Sequence, residues 1–247
     1  MSHKSLTSRS GIRRYIDAAA FRTFERVTRP ARAARTSQFE AVPIPEDAVV
    51  FLGASMVEQG LWDAWFPTVR AVNRGIGGET TADIRRRLAS AIASPAAVFL
   101  LAGTNDLTRG VPQAQTVEET RRIVDTIIQC APGCTVYLQS VTPRALRYRD
   151  ELVRLNGELR SLAEARAPRV EFVDLWPVLA DREGALIAEF THDSVHLNGS
   201  GYAAWTSAIR PLVEAFAPSV PSPGTEINRP PATLKAGAKQ RSTNAPA

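Results

Sequence analysis

Four short polar segments of the sequence contain residues suited to chemistry at a carbonyl group. They supply a serine, Ser55, a glycine-rich turn, an amide, Asn105, and an aspartate close to a histidine. An acyl-transfer site needs an activated hydroxyl, a base oriented by a carboxylate, and donors aimed at a developing oxyanion. Acyl transfer is therefore the first hypothesis. The segments are Gly-Ala-Ser-Met at 53–56, Asn-Arg-Gly-Ile-Gly-Gly-Glu-Thr-Thr at 73–81, Gly-Thr-Asn-Asp at 103–106 and His-Asp-Ser-Val-His-Leu at 192–197.

Each segment also has a simpler interpretation. Ser55 alone would be taken as the cap of a helix, and Asn105 alone as a turn residue. Asp106 is expected to brace its loop through side-chain hydrogen bonds. The glycines of the second segment could form a plain turn, or the phosphate-binding turn of a flavodoxin-like binding module. The phosphate alternative lacks a third glycine after Gly75 and Gly77, and no Gly-Lys-Ser/Thr follows a predicted strand.

The three histidines, His3, His192 and His196, limit the metal and acid–base chemistry that the chain can perform. His192 and His196 are four residues apart, which would pair them as metal ligands on a helix. Gly199 and Gly201 follow closely, and no third His or Cys is placed to complete such a site. We therefore expect no metal and no cofactor, and from spacing alone either His192 or His196 could be the base.

The elements that must position these residues alternate between strands and helices. Five short apolar runs have strand length and β-branched content, and helical periodicity fills the gaps after them. Capping boxes are expected at Thr80 with Asp83 and at Thr116 with Glu119. This alternation predicts an α/β fold, a three-layer α/β/α sandwich whose parallel strands carry the polar segments at one edge. The predicted strands lie at 48–52, 69–73, 97–102, 135–141 and 170–174.

The positive charge of the chain is concentrated at its ends. Residues 1–40 contain nine Lys or Arg and three Asp or Glu. Residues 218–247 contain four Lys or Arg and one Glu. Residues 41–217 therefore carry a net charge of −4, although the whole chain carries +5. This distribution argues against a nucleic-acid-binding core. We divide the chain into a basic extension at 1–42, a domain at 43–217 and a disordered, Pro-rich basic tail at 218–247.

The extension has apolar residues at helical spacing over 11–28, which predicts an amphipathic helix. This helix could pack on its own domain, on a second copy in a homo-oligomer, or through its basic residues on a membrane surface. The sequence contains no run of 18 apolar residues and no secretory signal pattern. Its two cysteines, Cys130 and Cys134, cannot build a disulfide framework. We expect a cytoplasmic protein.

In order and spacing, the four segments resemble those of the SGNH (GDSL-like) hydrolase superfamily, and residues 73–81 are most similar to its platelet-activating-factor-acetylhydrolase-like branch. The resemblance covers about residues 46–216 and implies a flavodoxin-like SGNH hydrolase fold. It implies hydrolysis of an acetyl or short acyl ester of a small molecule through an acyl-enzyme. The implied site residues are Ser55 as nucleophile, Asp193 and His196 as the rest of a catalytic triad, and Ser55, Gly78 and Asn105 as the oxyanion hole.

One residue departs from the family pattern. The usual Gly-Asp-Ser-Leu is Gly-Ala-Ser-Met here, so Ala54 stands in place of the aspartate beside the proposed nucleophile. This departure and the basic termini leave one alternative open, a catalytically silent protein of the same fold that serves binding or scaffolding. The sequence also does not choose between water and another acyl acceptor, so an acyltransferase that uses the same site is a second alternative.

Two further groups of residues have open roles. The first group is aromatic and either walls an acyl pocket or packs a short helix on the sheet. The second group consists of loop arginines that either bind an anionic leaving group or are solvated. The aromatic group is Trp62, Trp65 and Phe66, and the arginine group is Arg109, Arg144 and Arg147.

Overall fold

A five-stranded sheet forms the centre of the structure, a computed structural model that describes residues 26–218. The strands pair in the order β2-β1-β3-β4-β5, and every pairing in this sheet is parallel. The predicted parallel sheet is confirmed, with the second strand two residues later than expected. The strands are β1 (Val49–Gly53), β2 (Ala71–Gly75), β3 (Ala97–Leu101), β4 (Thr135–Gln139) and β5 (Val170–Val173).

Helices lie before, between and after the strands. Ten helices occur among residues 26–218, and none of them is long and apolar enough to cross a lipid bilayer. Two short 3-10 turns, Leu146–Tyr148 and Ala188–Phe190, complete the regular structure of this range. The helices are α1 (26–41), α2 (Ser55–Glu58), α3 (Trp62–Trp65), α4 (Thr81–Arg86), α5 (Leu88–Ala91), α6 (Thr104–Arg109), α7 (Gln113–Cys130), α8 (Arg149–Glu164), α9 (Trp176–Leu179) and α10 (Gly199–Glu214).

The strands contribute side chains to two apolar cores, one on each face of the sheet. In β1, the side chains of Val50 and Leu52 belong to one core and those of Val49 and Phe51 belong to the other. The first core is completed by side chains of α4, α5, α7 and α8, and the second by side chains of α2, α3, α9 and α10. All of β1 is buried, as expected for a strand covered on both faces. The predicted three-layer α/β/α sandwich is confirmed.

The two expected capping boxes have different outcomes. The Thr80 hydroxyl oxygen accepts a hydrogen bond from the Asp83 backbone N–H, and the Asp83 carboxylate accepts one from the Thr80 backbone N–H, so the first capping box is confirmed. The second is wrong, because Thr116 and Glu119 lie inside α7, which begins directly after Pro112. A proline has a fixed φ that suits a helix start and lacks the N–H that would be unpaired there.

The N-terminal helix also differs from its expected bounds. Residues 11–25 lie outside the described residues, as does the predicted tail from residue 219 onward. Residues 26–28 are helical as expected, but the helix continues to residue 41. The segment Ala-Arg-Ala-Ala-Arg at 31–35 favours this longer helix, because alanine and arginine are strong helix formers. The segment contains no large apolar residues, so apolar periodicity did not predict the longer helix.

Candidate active site

Ser55 lies at the carboxyl edge of the sheet, where it is the first residue of α2 and is separated from β1 by one residue. The helix sits very close to the end of β2, since a Cβ atom on Gly75 would lie 2.2 Å from the Glu58 backbone nitrogen. Only glycine fits this approach. The Ser55 hydroxyl does not cap α2: the cap position is Ala54, which makes no side-chain hydrogen bond. The capping interpretation of Ser55 is therefore wrong.

The Ser55 hydroxyl instead begins a chain of three hydrogen-bonded side chains. Its Oγ lies 2.9 Å from Nε2 of His196, a residue 141 positions later in the sequence. On the other side of the ring, Nδ1 of His196 lies 2.6 Å from Oδ2 of Asp193. The structure therefore brings together the serine, histidine and aspartate that the sequence analysis singled out.

A tight loop presents the histidine and the aspartate. An isolated antiparallel bridge between Thr191 and Leu197 closes the loop. Within it, Oδ1 of Asp193 accepts hydrogen bonds from the backbone N–H groups of Val195, at 2.9 Å, and His196, at 2.7 Å. One carboxylate thus fixes the loop backbone through one oxygen and the histidine ring through the other.

The environment of Asp193 favours its ionised form. Partial burial alone would raise the pKa of Asp193, but hydrogen bonds from the His196 ring and from the backbone of Val195 and His196 outweigh it. The pKa of Asp193 is lowered to about 2. The carboxylate is therefore charged at neutral pH and suited to orient an imidazole ring.

Gly78 and Asn105 face the same space as Ser55. Gly78 has a φ of +76°, a backbone conformation that favours glycine. Among the described residues, its N–H donates no hydrogen bond to another backbone group. The Asn105 amide is buried and donates to the Glu79 carbonyl at 2.8 Å. A cavity of about 230 Å³ is lined by Ser55, Gly78, Thr104, Asn105, Thr108, Arg144, Val195 and His196.

A buried ion pair that sequence reasoning missed anchors the loop after Gly78. Arg87 separates α4 from α5, and its side chain is buried. Its Nη2 lies 2.6 Å from Oε2 of Glu79 and donates to the backbone carbonyls of Gly53 and Arg74. Burial raises the pKa of Glu79, although its contacts with Arg87 oppose the rise. No sequence spacing marked this pair, because each residue looks like an ordinary charged residue of a helix or a loop.

Asp106 and Arg109 hold the same loop from α6. The Asp106 carboxylate accepts hydrogen bonds from the Thr81 backbone at 3.0 Å and the Thr81 hydroxyl at 2.6 Å. The expected bracing by Asp106 is therefore confirmed, although Asn105 and Asp106 belong to a helix rather than a turn. Burial raises the pKa of Asp106 despite these bonds. Arg109 donates to the Gly78 carbonyl at 3.1 Å, which fixes the orientation of that peptide.

Several other candidate residues lie away from the reacting groups. His192 is exposed on the loop and does not line the cavity beside Ser55. Trp62 and Phe66 are buried in the core, so packing is their role. The Trp62 ring stacks on the Phe51 ring with 4.0 Å between the ring centres. Trp65 is partly buried against the same core.

The remaining two loop arginines differ, because Arg144 is buried and Arg147 is exposed. Arg144 lines the cavity and donates from Nη1 to the Thr104 carbonyl and the Thr108 hydroxyl. The guanidinium of Arg147 lies 4.6 Å from the centre of the Tyr148 ring. Within residues 26–218, no group of three or more His, Cys, Asp or Glu side chains could hold a metal ion.

Comparison with known proteins assigns the chain to a family. The GDSL-like lipase/acylhydrolase family matches residues 49–204, a range that contains Ser55, Gly78, Asn105, Asp193 and His196. The chain belongs to this family. It is a hydrolase of the lipase and esterase type, with the α/β fold of the family's solved structures.

Relatives of the chain lie in the same family. Platelet-activating factor acetylhydrolase IB subunit alpha1 of Pongo abelii is 29% identical over 178 residues, which are 68% of this chain and 76% of that protein. A structure described as a platelet activating factor from Streptococcus pneumonia is 25% identical, covers 79% of this chain and 99% of its own, and has a TM-score of 0.73. The structure of a GDSL-like lipase from Bacteroides thetaiotaomicron is 25% identical, with a TM-score of 0.64. The match covers 74% of this chain and 97% of that one.

Proposed function

We propose that the protein is a serine esterase that hydrolyses acetyl or short acyl carboxylic esters through Ser55, His196 and Asp193. The observation that carries this proposal is the hydrogen-bonded chain from the Ser55 hydroxyl through the His196 ring to the Asp193 carboxylate. Membership of an acylhydrolase family and similarity to acetylhydrolase subunits support it.

In the proposed acylation step, Oγ of Ser55 attacks the ester carbonyl carbon while Nε2 of His196 accepts the hydroxyl proton. Asp193, ionised at neutral pH, holds the ring through Nδ1 and stabilises the imidazolium that forms. When the tetrahedral intermediate collapses, the bond to the leaving alcohol breaks and His196 gives the alcohol its proton. The acyl group then remains on Ser55.

Deacylation repeats the same proton transfers with water as the nucleophile. His196 accepts a proton from water, the hydroxide oxygen attacks the acyl carbon, and the bond to Ser55 breaks with return of the proton to Oγ. The products are a carboxylic acid and the free enzyme. If an alcohol took the place of water, the same site would perform acyl transfer.

Three donors are proposed to stabilise the oxyanion: the backbone N–H groups of Ser55 and Gly78 and the side-chain amide of Asn105. The bond from Asn105 to the Glu79 carbonyl uses one of its two N–H groups, which leaves the other for the substrate. Preorganised donors of this kind contribute about 3 kcal/mol each to transition-state stabilisation.

The cavity beside Ser55 supports a small acyl group. Its volume of about 230 Å³ lies below the range of about 300–1,000 Å³ that is typical of pockets for drug-sized ligands. We expect p-nitrophenyl acetate and butyrate to be turned over faster than the octanoate or longer esters. A rate that rises with chain length would contradict the short acyl assignment but not the esterase itself.

The proposed roles are tested by substitution and labelling. A fluorophosphonate probe should modify Ser55 in the folded protein, and labelling should be absent in Ser55→Ala. Ser55→Ala and His196→Ala should each remove nearly all turnover, and the double variant should lose little more, because the two groups act as one unit. His192→Ala is the matched control and should keep wild-type kcat/KM.

The oxyanion hole has its own test. Asn105→Ala should lower kcat by about 10² to 10³ with little change in KM, since its amide binds the transition state more strongly than the ground state. Full kcat in a folded Asn105→Ala variant would remove Asn105 from the mechanism. Absence of both labelling and turnover between about pH 6 and pH 9 would favour the catalytically silent alternative.

A further inference from the structure

Arg35 of helix α1 contacts the strand end that precedes the loop carrying Gly78. Nε of Arg35 donates to the Gly75 carbonyl at 2.7 Å and lies 3.1 Å from Oε1 of Glu58. Its Nη2 lies 3.5 Å from Oδ1 of Asn73, and its guanidinium carbon lies 5.1 Å from the centre of the Phe39 ring. The α1 segment therefore contacts both β2 and α2 at the edge of the sheet where Ser55 lies.

Glu58 connects the two halves of the candidate site. It is the last residue of α2, whose first residue is Ser55, and its Oε2 accepts a hydrogen bond from the Gly77 N–H at 3.0 Å. A Cβ atom on Gly77 would lie 2.7 Å from that oxygen and 3.7 Å from Cβ of Ser55, so the loop packs directly on the helix. Gly78, the next residue, is the proposed oxyanion donor.

The Glu58 carboxylate needs a partner to hold this position. Its side chain and that of Arg35 are each 32% exposed, so an unpaired Glu58 could turn toward water. Arg35 binds one carboxylate oxygen and leaves the other for Gly77, while its bond to the Gly75 carbonyl fixes the strand end before the loop. A planar guanidinium suits this task because its donors have a fixed geometry.

We propose that Arg35 is a positioning residue, which acts through Glu58 and Gly75 to orient the oxyanion loop relative to Ser55. The proposal rests on the proposed esterase function. Partly exposed ion pairs contribute only about 0–1 kcal/mol to folding stability, whereas a misplacement of about 1 Å at a reacting centre can cost about 10²-fold in rate. Loss of the Arg35 side chain should therefore lower the rate of turnover and hardly change the stability of the fold.

The test measures steady-state turnover of p-nitrophenyl acetate and thermal unfolding of the full chain. Arg35→Ala should lower kcat about tenfold to a hundredfold, leave KM within about twofold, and change Tm by only a few degrees. Arg29→Ala is the matched control on the same helix: among the described residues Arg29 has no hydrogen bond to this loop, and its variant should match the wild type.

Variants of Glu58 separate positioning from general packing. Glu58→Gln keeps an oxygen that can accept from Gly77 and should retain more activity than Glu58→Ala. The double variant of Arg35→Ala with Glu58→Ala should lose less than the product of the two single losses, because Arg35 acts in part through Glu58.

Two results would overturn the proposal. One is wild-type kcat in a folded Arg35→Ala variant, and the other is an equal loss in Arg29→Ala. Either result with Ser55→Ala inactive would refute the role of Arg35 and leave the esterase proposal intact. Wild-type turnover in Ser55→Ala would instead refute the esterase proposal, so the two failures are distinguishable.

Discussion

Removal of the Arg87 side chain should strongly destabilise the fold around the candidate site. The side chains of Arg87 and Glu79 are only 5% and 6% exposed, so water does not replace the lost partner. Loss of one member of such a buried pair costs about 3–5 kcal/mol. The carbonyls of Gly53 and Arg74 would also lose their Arg87 donor, a part of this cost that does not involve charge. We expect Arg87→Met to lower the free energy of unfolding by about 3–5 kcal/mol near pH 7.

The pH dependence of this loss follows from Glu79. Burial already raises the pKa of Glu79 in the folded protein, and removal of Arg87 would raise it further. The unfolded chain keeps the ordinary glutamate pKa of about 4.3. Below that pH, Glu79 is protonated in both states and the cost of a buried charge vanishes. The cost grows as the pH rises through the folded-state pKa, so the difference between wild type and variant should be larger near pH 7 than near pH 4.

Urea unfolding followed by tryptophan fluorescence at the two pH values measures this difference. Arg86→Met is the matched control, because the Arg86 side chain is 70% exposed and its surface ion pair should contribute less than about 1 kcal/mol. Equal losses in the two variants near pH 7 would refute the buried-pair argument. A loss from Arg87→Met that is the same near pH 4 and pH 7 would assign the cost to the carbonyl hydrogen bonds instead of the charge.

Three further substitutions test local features. Ala54→Asp should raise the free energy of unfolding by about 0.5–1 kcal/mol in urea titrations, since α2 lacks a side-chain cap; no gain would show that this position cannot cap. Trp62→Ala should lower it by about 3–5 kcal/mol, because the fully packed ring stacks on Phe51; a cost below about 1 kcal/mol would contradict that packing. Gly75→Ala should cost about 1–3 kcal/mol and reduce turnover, because the methyl group would collide with the α2 backbone; wild-type stability would refute so close an approach.

Local sequence signals predicted most of the framework. Strands β1 and β3 are apolar along their whole length because both of their faces are buried, so each run could be recognised without knowledge of its neighbours. The capping box at Thr80 and Asp83 is equally local, since both hydrogen bonds form within one turn. The order of the polar segments after the strands then placed Ser55 and His196 at one edge of the sheet, and the family resemblance supplied their proposed roles.

The missed features depend on contacts between distant parts of the chain. Arg87 lies between α4 and α5, and its guanidinium reaches Glu79 and two carbonyls of neighbouring strands. Arg35 looked like one more basic residue of the extension, since its partners at Glu58 and Gly75 lie on separate elements. Charged residues carry no periodic signal of burial, so only the folded arrangement identifies them.

The 141-residue separation between Ser55 and His196 has a consequence for the chain during synthesis. The proposed nucleophile leaves the ribosome long before its base, and α10 follows the base as the last described helix. Tyr202 of α10 then donates to the Met56 carbonyl beside Ser55, at 2.6 Å, and joins this helix to the segment that carries Ser55. Until His196 emerges and docks, the Ser55 hydroxyl lacks its proposed base. On the proposed mechanism, ester hydrolysis depends on this long-range contact, so recovery of activity after denaturation would report its formation.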